Sequence, residues 1–257
     1  MDFGYTVAGF FVGAIVGLTG VGGGSLMTPL LVLVFGIHPA TAVGTDLLYA
    51  ALTKSGGTVV HSLKKTVDWR ITGLMAAGSL PATALTLWLV SSYAPGGLAG
   101  ASKLISGALG VALLLTAAAL IFRKRLQAFA GDHASRNPRT TAQLTVLAGV
   151  LLGVLVSISS VGAGALGVTA LILLYPQVPI IRIVGTDIAH AVPLTLLAGL
   201  GHWVLGSVDW ALLGSLLLGS LPGIFIGSHI SVKVPERVLR PILASLLVII
   251  GGKLIAS

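Results

Sequence analysis

The sequence predicts an all-α polytopic membrane protein made of two homologous halves. Three observations predict it: 55% of the 257 residues are hydrophobic, only 9% are charged, and apolar runs of membrane-spanning length recur. Soluble domains carry about 25% charged residues, so this chain could not cover a globular surface with charge. Runs of about 20 residues favour helices over the shorter alternating strands of a β-barrel. The absence of cysteine excludes disulfides, iron–sulfur clusters and thiolate zinc sites.

The apolar segments differ in continuity. Four uninterrupted runs predict single crossings, and they are 71–90, 101–122, 211–230 and 238–255. Two longer stretches are apolar but broken by glycine, serine and proline. The breaks leave segments 25–36 and 165–175, which are too short to cross a hydrocarbon core about 30 Å thick. We expect both segments to be half-helices or re-entrant arms.

Basic residues are concentrated in a few loops. The basic loops are 62–70, 123–139 and 231–240. Loops 91–100 and 205–210 contain no lysine or arginine. The positive-inside rule places the three basic loops in the cytoplasm of a protein in the cell (inner) membrane, and this orientation explains the net charge of +8 better than nucleic-acid binding does. The N-terminus lacks the basic region of a signal peptide, so the first apolar segment is expected to remain.

The two halves of the chain repeat one another. The basic linker 123–140 separates a transmembrane repeat over 1–122 from a second one over 141–257. Four motifs recur at one constant offset, namely Gly44-Thr45-Asp46 with Gly185-Thr186-Asp187, His61 with His202, Val67-Asp68-Trp69 with Val208-Asp209-Trp210, and Gly78-Ser79-Leu80-Pro81 with Gly219-Ser220-Leu221-Pro222. A single register through four motifs indicates a duplication. Asp68 and Asp209 are each expected to cap the helix that follows, with the next tryptophan at the level of the lipid headgroups.

The charge of equivalent loops predicts how the halves are oriented. Loop 62–70 is basic, whereas its counterpart 205–210 is not. Equivalent loops are therefore expected on opposite faces of the membrane, which makes the repeat inverted. Inverted repeats are typical of secondary transporters, whose site lies near the midplane between broken helices of both halves. A parallel repeat with four spans in each half is the alternative.

The same motifs resemble those of one permease family. A glycine-rich first helix runs into Gly22-Gly23-Gly24-Ser25-Leu26 and Pro29, Ala42-Val43-Gly44-Thr45 follows, and this order occurs twice. Together with Thr53-Lys54-Ser55-Gly56-Gly57, these motifs make the sequence resemble the sulfite exporter TauE/SafE permeases over nearly the whole chain. The resemblance implies a permease for a small anion, either sulfite or an organosulfonate. Many relatives have serine after the Gly-Thr pair, where this chain has aspartate.

The broken helices indicate where an anion would bind. A helix break leaves free backbone N–H groups and a positive helix end, and glycine lets an oxyanion approach the backbone closely. The candidates on this argument are Gly22, Gly23, Gly24, Ser25, Ser159, Ser160, Gly162 and Gly164. Close helix packing alone is the alternative explanation of the glycines. Thr45 and Thr186 follow a glycine where a new helix is expected to begin, so each is a candidate for capping that helix or for donating to an oxyanion.

Charged residues inside apolar stretches are functional candidates because burying them is costly. Asp46 and Asp187 are the only acids so placed, and three roles are open: proton coupling, Na⁺ binding, or structural hydrogen bonds to helix N-termini. Repulsion between two carboxylates and an anion favours a proton. Lys54, opposite Thr195 in the repeat, is a candidate for the positive charge that binds the anion. Alternatively, the Lys54 side chain neutralises an acid or extends to the cytoplasmic surface of the membrane.

Histidine residues are candidates for a proton relay because imidazole titrates near neutral pH. His61 and His202 are duplicated, and His190 corresponds to Tyr49. Hydrogen bonding at a helix end is the alternative role for each. Arg182, five residues before Asp187, is a further candidate for the positive charge that binds the anion, and it is expected near an interface.

These patterns predict a secondary transporter that works by alternating access and is not an enzyme. The chain contains neither a G-x-x-x-x-G-K-[ST] loop nor an H-E-x-x-H or G-x-S-x-G motif, and we expect no cofactor and no metal. The expected partners are a small anionic substrate, membrane lipid and H⁺ or Na⁺ as coupling ion, without nucleic acid. An anion channel and a Na⁺-coupled carrier of another small anion are the alternatives.

Overall fold

The protein is helical throughout the part that the structure, a computed structural model, describes: residues 3–19, 24–94, 97–132, 137–230 and 236–256. The helices are α1 (Phe3–Thr19), α2 (Gly24–Leu33), α3 (Pro39–Leu63), α4 (Trp69–Tyr93), α5 (Gly97–Gly100), α6 (Ser102–Asp132), α7 (Pro138–Ser159), α8 (Ala165–Leu174), α9 (Ile180–Val204), α10 (Trp210–Ile230) and α11 (Glu236–Ala256). The predicted all-α membrane fold is confirmed.

Among the described residues, five helices are long and apolar enough to cross a membrane. They are α4, the first part of α6, α7, α9 and most of α10. The four uninterrupted apolar runs lie within α4, α6, α10 and α11. The structure differs from the prediction at the linker, because α6 continues through Asp132. Residues 123–132 include arginine, lysine, leucine, glutamine and alanine, which are good helix formers, so the helix extends beyond its apolar part.

The two half-length segments form short helices, as predicted. α2 and α8 have 10 residues each, so each is about 15 Å long, about half the thickness of a hydrocarbon core. Each is followed by a longer helix of 25 residues, α3 or α9. The predicted caps of the next helices are also confirmed, since Asp68 Oδ1 accepts from the N–H of Ile71 at 3.2 Å and Asp209 Oδ1 accepts from the N–H of Leu212 at 2.9 Å.

Long helices of the two halves pack against each other in pairs. α1 and α10 run parallel, because Gly9 packs against Leu216 and Gly13 packs against Ser220. Their counterparts, α7 and α4, also run parallel to each other. In both pairs a Cβ atom on the contact glycines would collide with the neighbouring backbone. Small residues therefore set the close approach of these helices.

α3 and α9, which are equivalent in the repeat, cross each other antiparallel at the centre of the molecule. Gly44 near the start of α3 packs against His202 near the end of α9, and Gly185 near the start of α9 packs against His61 near the end of α3. Leu48 packs against Gly199 between these ends. Most of the acids, histidines and hydroxyls that the sequence analysis selected lie on these two helices or beside them.

Candidate functional site

The two intramembrane acids and Lys54 all lie along the α3–α9 crossing. Asp46 and Asp187 lie one and a half to two turns into their helices and are 0% and 1% exposed. Because the helices are antiparallel, the acids lie at different depths. Gly57 packs against Ile188 and Gly185 against His61, so Asp187 is level with the part of α3 between those two residues.

Lys54 lies between the two acids along α3. It follows Asp46 by two turns, about 12 Å along the helix axis, and it comes about one turn before the level of Asp187. The side chain is partly buried, and Nζ donates a hydrogen bond of 2.6 Å to the carbonyl oxygen of Ala163. The ammonium group of the first half therefore lies at the helix break of the second half. The prediction that Lys54 supplies a positive charge near the break is compatible with this position.

The break between α7 and α8 is tight and uses left-handed backbone. Ser160 has φ +60°, Gly162 φ +122° and Gly164 φ +136°. The last two conformations are strained for a residue with a Cβ, which explains the glycines here without any ligand. α8 begins at Ala165, so its free N–H groups lie close to the carbonyl to which Lys54 is bonded.

Asp46 is held by hydroxyl groups from two other elements. Thr28 Oγ1 on α2 and Ser160 Oγ in the break both donate to Asp46 Oδ2, the second at 3.0 Å. Asp46 Oδ1 has no hydrogen-bond partner among the residues that the structure describes. The carboxyl group thus joins α2 of its own half to the α7–α8 break of the other half.

Asp187 has a different environment. Its Oδ1 lies against Gly167 of α8, where a Cβ atom would overlap it, and this oxygen is buried without a hydrogen-bond partner in the described part of the chain. Among the described residues no side chain donates a hydrogen bond to Asp187. The glycine breaks of the two halves align at an offset of 140, one less than the later motifs, since Gly24 corresponds to Gly164 and Leu26 to Leu166. Val168 therefore takes the position of Thr28, and the hydroxyl that serves Asp46 is replaced by a methyl group.

Thr45 and Thr186 have roles that differ from helix capping. The expectation that each begins a helix is wrong, because α3 begins at Pro39 and α9 at Ile180. Prolines at or next to those positions start the helices earlier. Instead, Thr45 Oγ1 accepts from the N–H of Asp209 at 3.0 Å, and Thr186 Oγ1 accepts from the N–H of Asp68 at 2.9 Å. Each hydroxyl holds the loop of the other half. An additional contact of either hydroxyl with a substrate stays a prediction.

The other predicted anion-site residues fall into three groups. Gly22 and Gly23 lie outside the described residues. Gly24 begins α2, and Ser25 next to it is buried. Ser159 is a structural residue of the break, because its hydroxyl donates to the carbonyl of Leu155 at 2.7 Å and accepts from the N–H of Val161 at 3.2 Å.

The three histidines lie at different places on the α3–α9 pair. His190, one turn after Asp187, is buried and its Nε2 is 2.8 Å from Ser79 Oγ, while its Nδ1 has no hydrogen-bond partner within the described ranges. His202 Nε2 is 2.9 Å from the carbonyl oxygen of Ser157, and His61 Nδ1 is 2.8 Å from Thr66 Oγ1. The duplicated pair lies at the two ends of the crossing, where hydrogen bonding accounts for both. A relay role stays a prediction, and His190 is the histidine beside an intramembrane acid.

Two features of the site were missed by the sequence analysis. Thr28 and the carbonyl of Ala163 contact the charged residues, and neither was selected. Thr28 could have been found as a hydroxyl four residues after a glycine run in an apolar segment. The carbonyl has no signal in the sequence, because it is defined by backbone geometry alone.

The end of the molecule near Arg182 carries an ion pair and two cavities. Arg182 Nη2 lies 3.6 Å from Asp68 Oδ2, linking α9 to the loop before α4. Cavities of about 310 Å³ and about 330 Å³ both border residues 176–178. Neither cavity is lined by an intramembrane acid or by Lys54.

Comparison with known proteins gives consistent matches along the whole chain. The model of the family "Sulfite exporter TauE/SafE" matches residues 5–254. The chain is 41% identical to the probable membrane transporter protein YjnA of Bacillus subtilis over 99% of this chain and 100% of that protein. It is 28% identical to the probable membrane transporter protein YdhB of the same organism, over 90% and 91% of the two chains. No solved structure matches this chain.

Proposed function

The chain belongs to the sulfite exporter TauE/SafE family of membrane transporters, and from this membership we propose that it is a secondary transporter of a small sulfur oxyanion in monovalent form, either sulfite as hydrogensulfite or an organosulfonate. One observation carries the proposal. The ammonium group of Lys54 is held at a helix break, between two buried carboxyl groups, where equivalent helices of the two halves cross.

The anion would bind at the start of α8, next to Lys54. An oxyanion there meets the ammonium group and the first N–H groups of the helix together, and both favour negative charge. Gly162 and Gly164 have no Cβ atom, so an oxyanion could approach the backbone there closely. Lys54 would leave the carbonyl of Ala163 and bind the anion, which is a stronger acceptor because it is charged.

Alternating access would use the two halves as inverted repeats. The antiparallel crossing of α3 and α9 supports this arrangement, as do the reciprocal bonds from Thr45 and Thr186 to the loops of the opposite halves. In such transporters the two repeats rock around a fixed site near the midplane. We place loops 62–70, 123–139 and 231–240 in the cytoplasm on the positive-inside rule.

The proposal is tested by uptake into proteoliposomes. Purified wild-type protein and Lys54→Met are compared for uptake of labelled methanesulfonate and sulfite. We expect saturable wild-type uptake with counterflow, and a loss of about tenfold or more in Lys54→Met, because a charge-assisted hydrogen bond contributes about 1.5–3 kcal/mol.

Lys103→Met is the matched control, since Lys103 is exposed near the start of α6. It should stay within about twofold of wild type. Uptake that does not saturate and shows no counterflow would instead identify a channel. Full activity of Lys54→Met would remove Lys54 from the anion site.

A further inference from the structure

The two intramembrane acids are equivalent in the repeat but unequal in their surroundings. Asp46 accepts two hydroxyl hydrogen bonds, from Thr28 and Ser160, on one oxygen. Asp187 receives none from the described residues, and its buried Oδ1 faces the bare backbone of Gly167. Hydroxyl donors favour the ionised form of a carboxyl group, and their absence in a buried site removes that preference. The two acids are therefore suited to different tasks.

The charged and titratable groups that face Asp187 come from two helices. α3 presents Lys54 and, nearer the end of the crossing, His61. α9 itself carries His190 one turn onward and Arg182 at its exposed start. α8, which covers Asp187 Oδ1, has no titratable side chain, and the part of α4 beside His190 presents Ser79. Lys54 is thus the cation that balances an ionised Asp187 within the described interior.

We propose that Asp187 binds the coupling proton, and that Lys54 alternates between the Asp187 carboxylate and the transported anion, so that one proton accompanies each monovalent anion. This inference rests on the proposed function and assigns its coupling step. The carboxylate of Asp187 accepts a proton from the aqueous side on which the anion enters, forming an O–H bond. That bond breaks when the proton leaves to water on the other side, and the carboxylate again neutralises Lys54.

The charge of the site supports a ratio of one to one. With both acids ionised and Lys54 protonated, the empty site carries one net negative charge. Binding one monovalent anion together with one proton on Asp187 leaves that charge unchanged. Binding the anion alone would add a second negative charge in a medium of low dielectric constant, where uncompensated charge is strongly disfavoured. The transported pair is neutral, so the membrane potential should not drive it.

Labelled methanesulfonate is the probe that tests this assignment. Its own protonation does not change near neutral pH, whereas sulfite takes up a proton there. Uptake into proteoliposomes is measured with an imposed proton gradient at zero potential, and with a potassium diffusion potential set by valinomycin at equal pH. Wild type, Asp187→Asn and Asp46→Asn are compared, and anion exchange at equal pH is recorded for each variant.

We expect wild-type uptake to rise at least threefold with an inward proton gradient and to stay unchanged when the membrane potential is varied. Asp187→Asn should lose the response to the proton gradient, retain measurable exchange, and respond to the potential during net uptake. Asp46→Asn should be slower, because it disturbs the bonds to Thr28 and Ser160, but should retain the response to the proton gradient. Infrared difference spectra should show a protonated carboxyl band in wild type and Asp46→Asn that is missing in Asp187→Asn.

Different failures have different meanings. If saturable wild-type uptake does not change with the proton gradient, or if it changes with the membrane potential, the inference is overturned. The proposed function still stands in either case. Loss of the gradient response and of the carboxyl band in Asp46→Asn assigns the proton to Asp46 instead, and this variant decides the question even if Asp187→Asn does not fold. An absence of saturable uptake and exchange of any tested anion by folded wild-type protein overturns both.

Discussion

The ends and the centre of the α3–α9 crossing use the repeat differently. At the ends, the two halves are built alike: the N–H of Thr66 donates to the carbonyl of His61 at 2.9 Å, and the N–H of Ser207 donates to that of His202 at 2.8 Å. At the centre, Lys54 has no charged counterpart, because Thr195 occupies its position in the repeat. The duplicated backbone thus sets a symmetric frame, and unequal side chains inside it distinguish the two acids.

Residues whose contacts repeat in both halves are suited to holding the fold, whereas residues at positions that differ between the halves are suited to carrying charge. The symmetric contacts pair backbone groups with short polar side chains, and each contact is satisfied in the same way in both halves. The asymmetric positions are Lys54, which corresponds to Thr195 in the repeat, and Asp187, which receives from the described residues none of the hydroxyl hydrogen bonds that Asp46 accepts. A buried carboxyl group without side-chain donors costs stability, so its presence points to function rather than to packing.

The largest expected effect is at Gly167, where the backbone of α8 meets Asp187. Gly167→Val would place a branched side chain on Asp187 Oδ1 and push the carboxyl group or α8 aside. We expect uptake to fall by about tenfold or more and stability to fall by about 1–3 kcal/mol, as for overpacked cores. Proteoliposome uptake and thermal unfolding in detergent measure the two effects.

Gly107→Val is the matched control on α6, because a Cβ atom at Gly107 meets no neighbouring atom. Its uptake and its unfolding temperature should stay near wild type. Equal damage from both variants would mean that valine disturbs these helices generally, and would remove the special role of the Gly167–Asp187 contact.

The next largest effect is expected at Thr28, which donates a hydrogen bond to Asp46 in the first half and has no equivalent donor at Asp187 in the second. Thr28→Val removes one of the two hydroxyl donors to Asp46 while nearly preserving the shape of the side chain. We expect a loss of about 1–3 kcal/mol in unfolding free energy, because the buried carboxyl group loses a hydrogen bond. The control is Thr169→Val on α8, whose hydroxyl only bonds back to the carbonyl of Ala165, and it should cost less than about 0.5 kcal/mol. An equal loss in both would contradict a special role of the Thr28 bond.

Much of this architecture could be predicted from the sequence. The short helices α2 and α8 were indicated by glycine and proline breaks, and the caps Asp68 and Asp209 by their place before long helices. The starts of α3 and α9 differ from the prediction, which has each helix begin at the glycine and threonine pair. Helix-starting prolines lie several residues earlier, and they fix φ there.

The sequence was sufficient to select the charged residues of the site but not their hydrogen-bond partners. Asp46, Asp187 and Lys54 stand out because charge inside an apolar stretch is costly. The sequence could not indicate that both hydroxyl donors serve Asp46, since Ser160 lies 114 positions away and approaches only when the two halves pack. Contacts of that kind depend on the tertiary fold, and no local periodicity carries them.

A finer test moves the hydroxyl from one half to the other. Val168→Thr places on α8 the group that Thr28 provides on α2, so it should give Asp187 a donor. A donor favours the ionised carboxylate, and half-maximal methanesulfonate uptake should then require a medium more acidic by about half to one pH unit. The pH dependence of uptake measures this, and Val168→Ala is the control without a donor. An unchanged pH dependence in Val168→Thr would show that Asp187 does not limit coupling.

The smallest expected effect lies at the exposed end of the crossing. Arg182 and Asp68 are 3.6 Å apart, and their side chains are 45% and 28% exposed. Water and salt screen such a pair, so Arg182→Gln should lower the unfolding free energy by less than about 1 kcal/mol and leave the response to the proton gradient intact. Unfolding in low and high salt measures the loss of unfolding free energy. The difference in this free energy between Arg182→Gln and wild type should shrink as the salt concentration rises. A larger loss that does not change with salt would show that this ion pair fastens the two halves, and that the symmetric hydrogen bonds from Thr45 and Thr186 are not sufficient to hold the ends of the crossing.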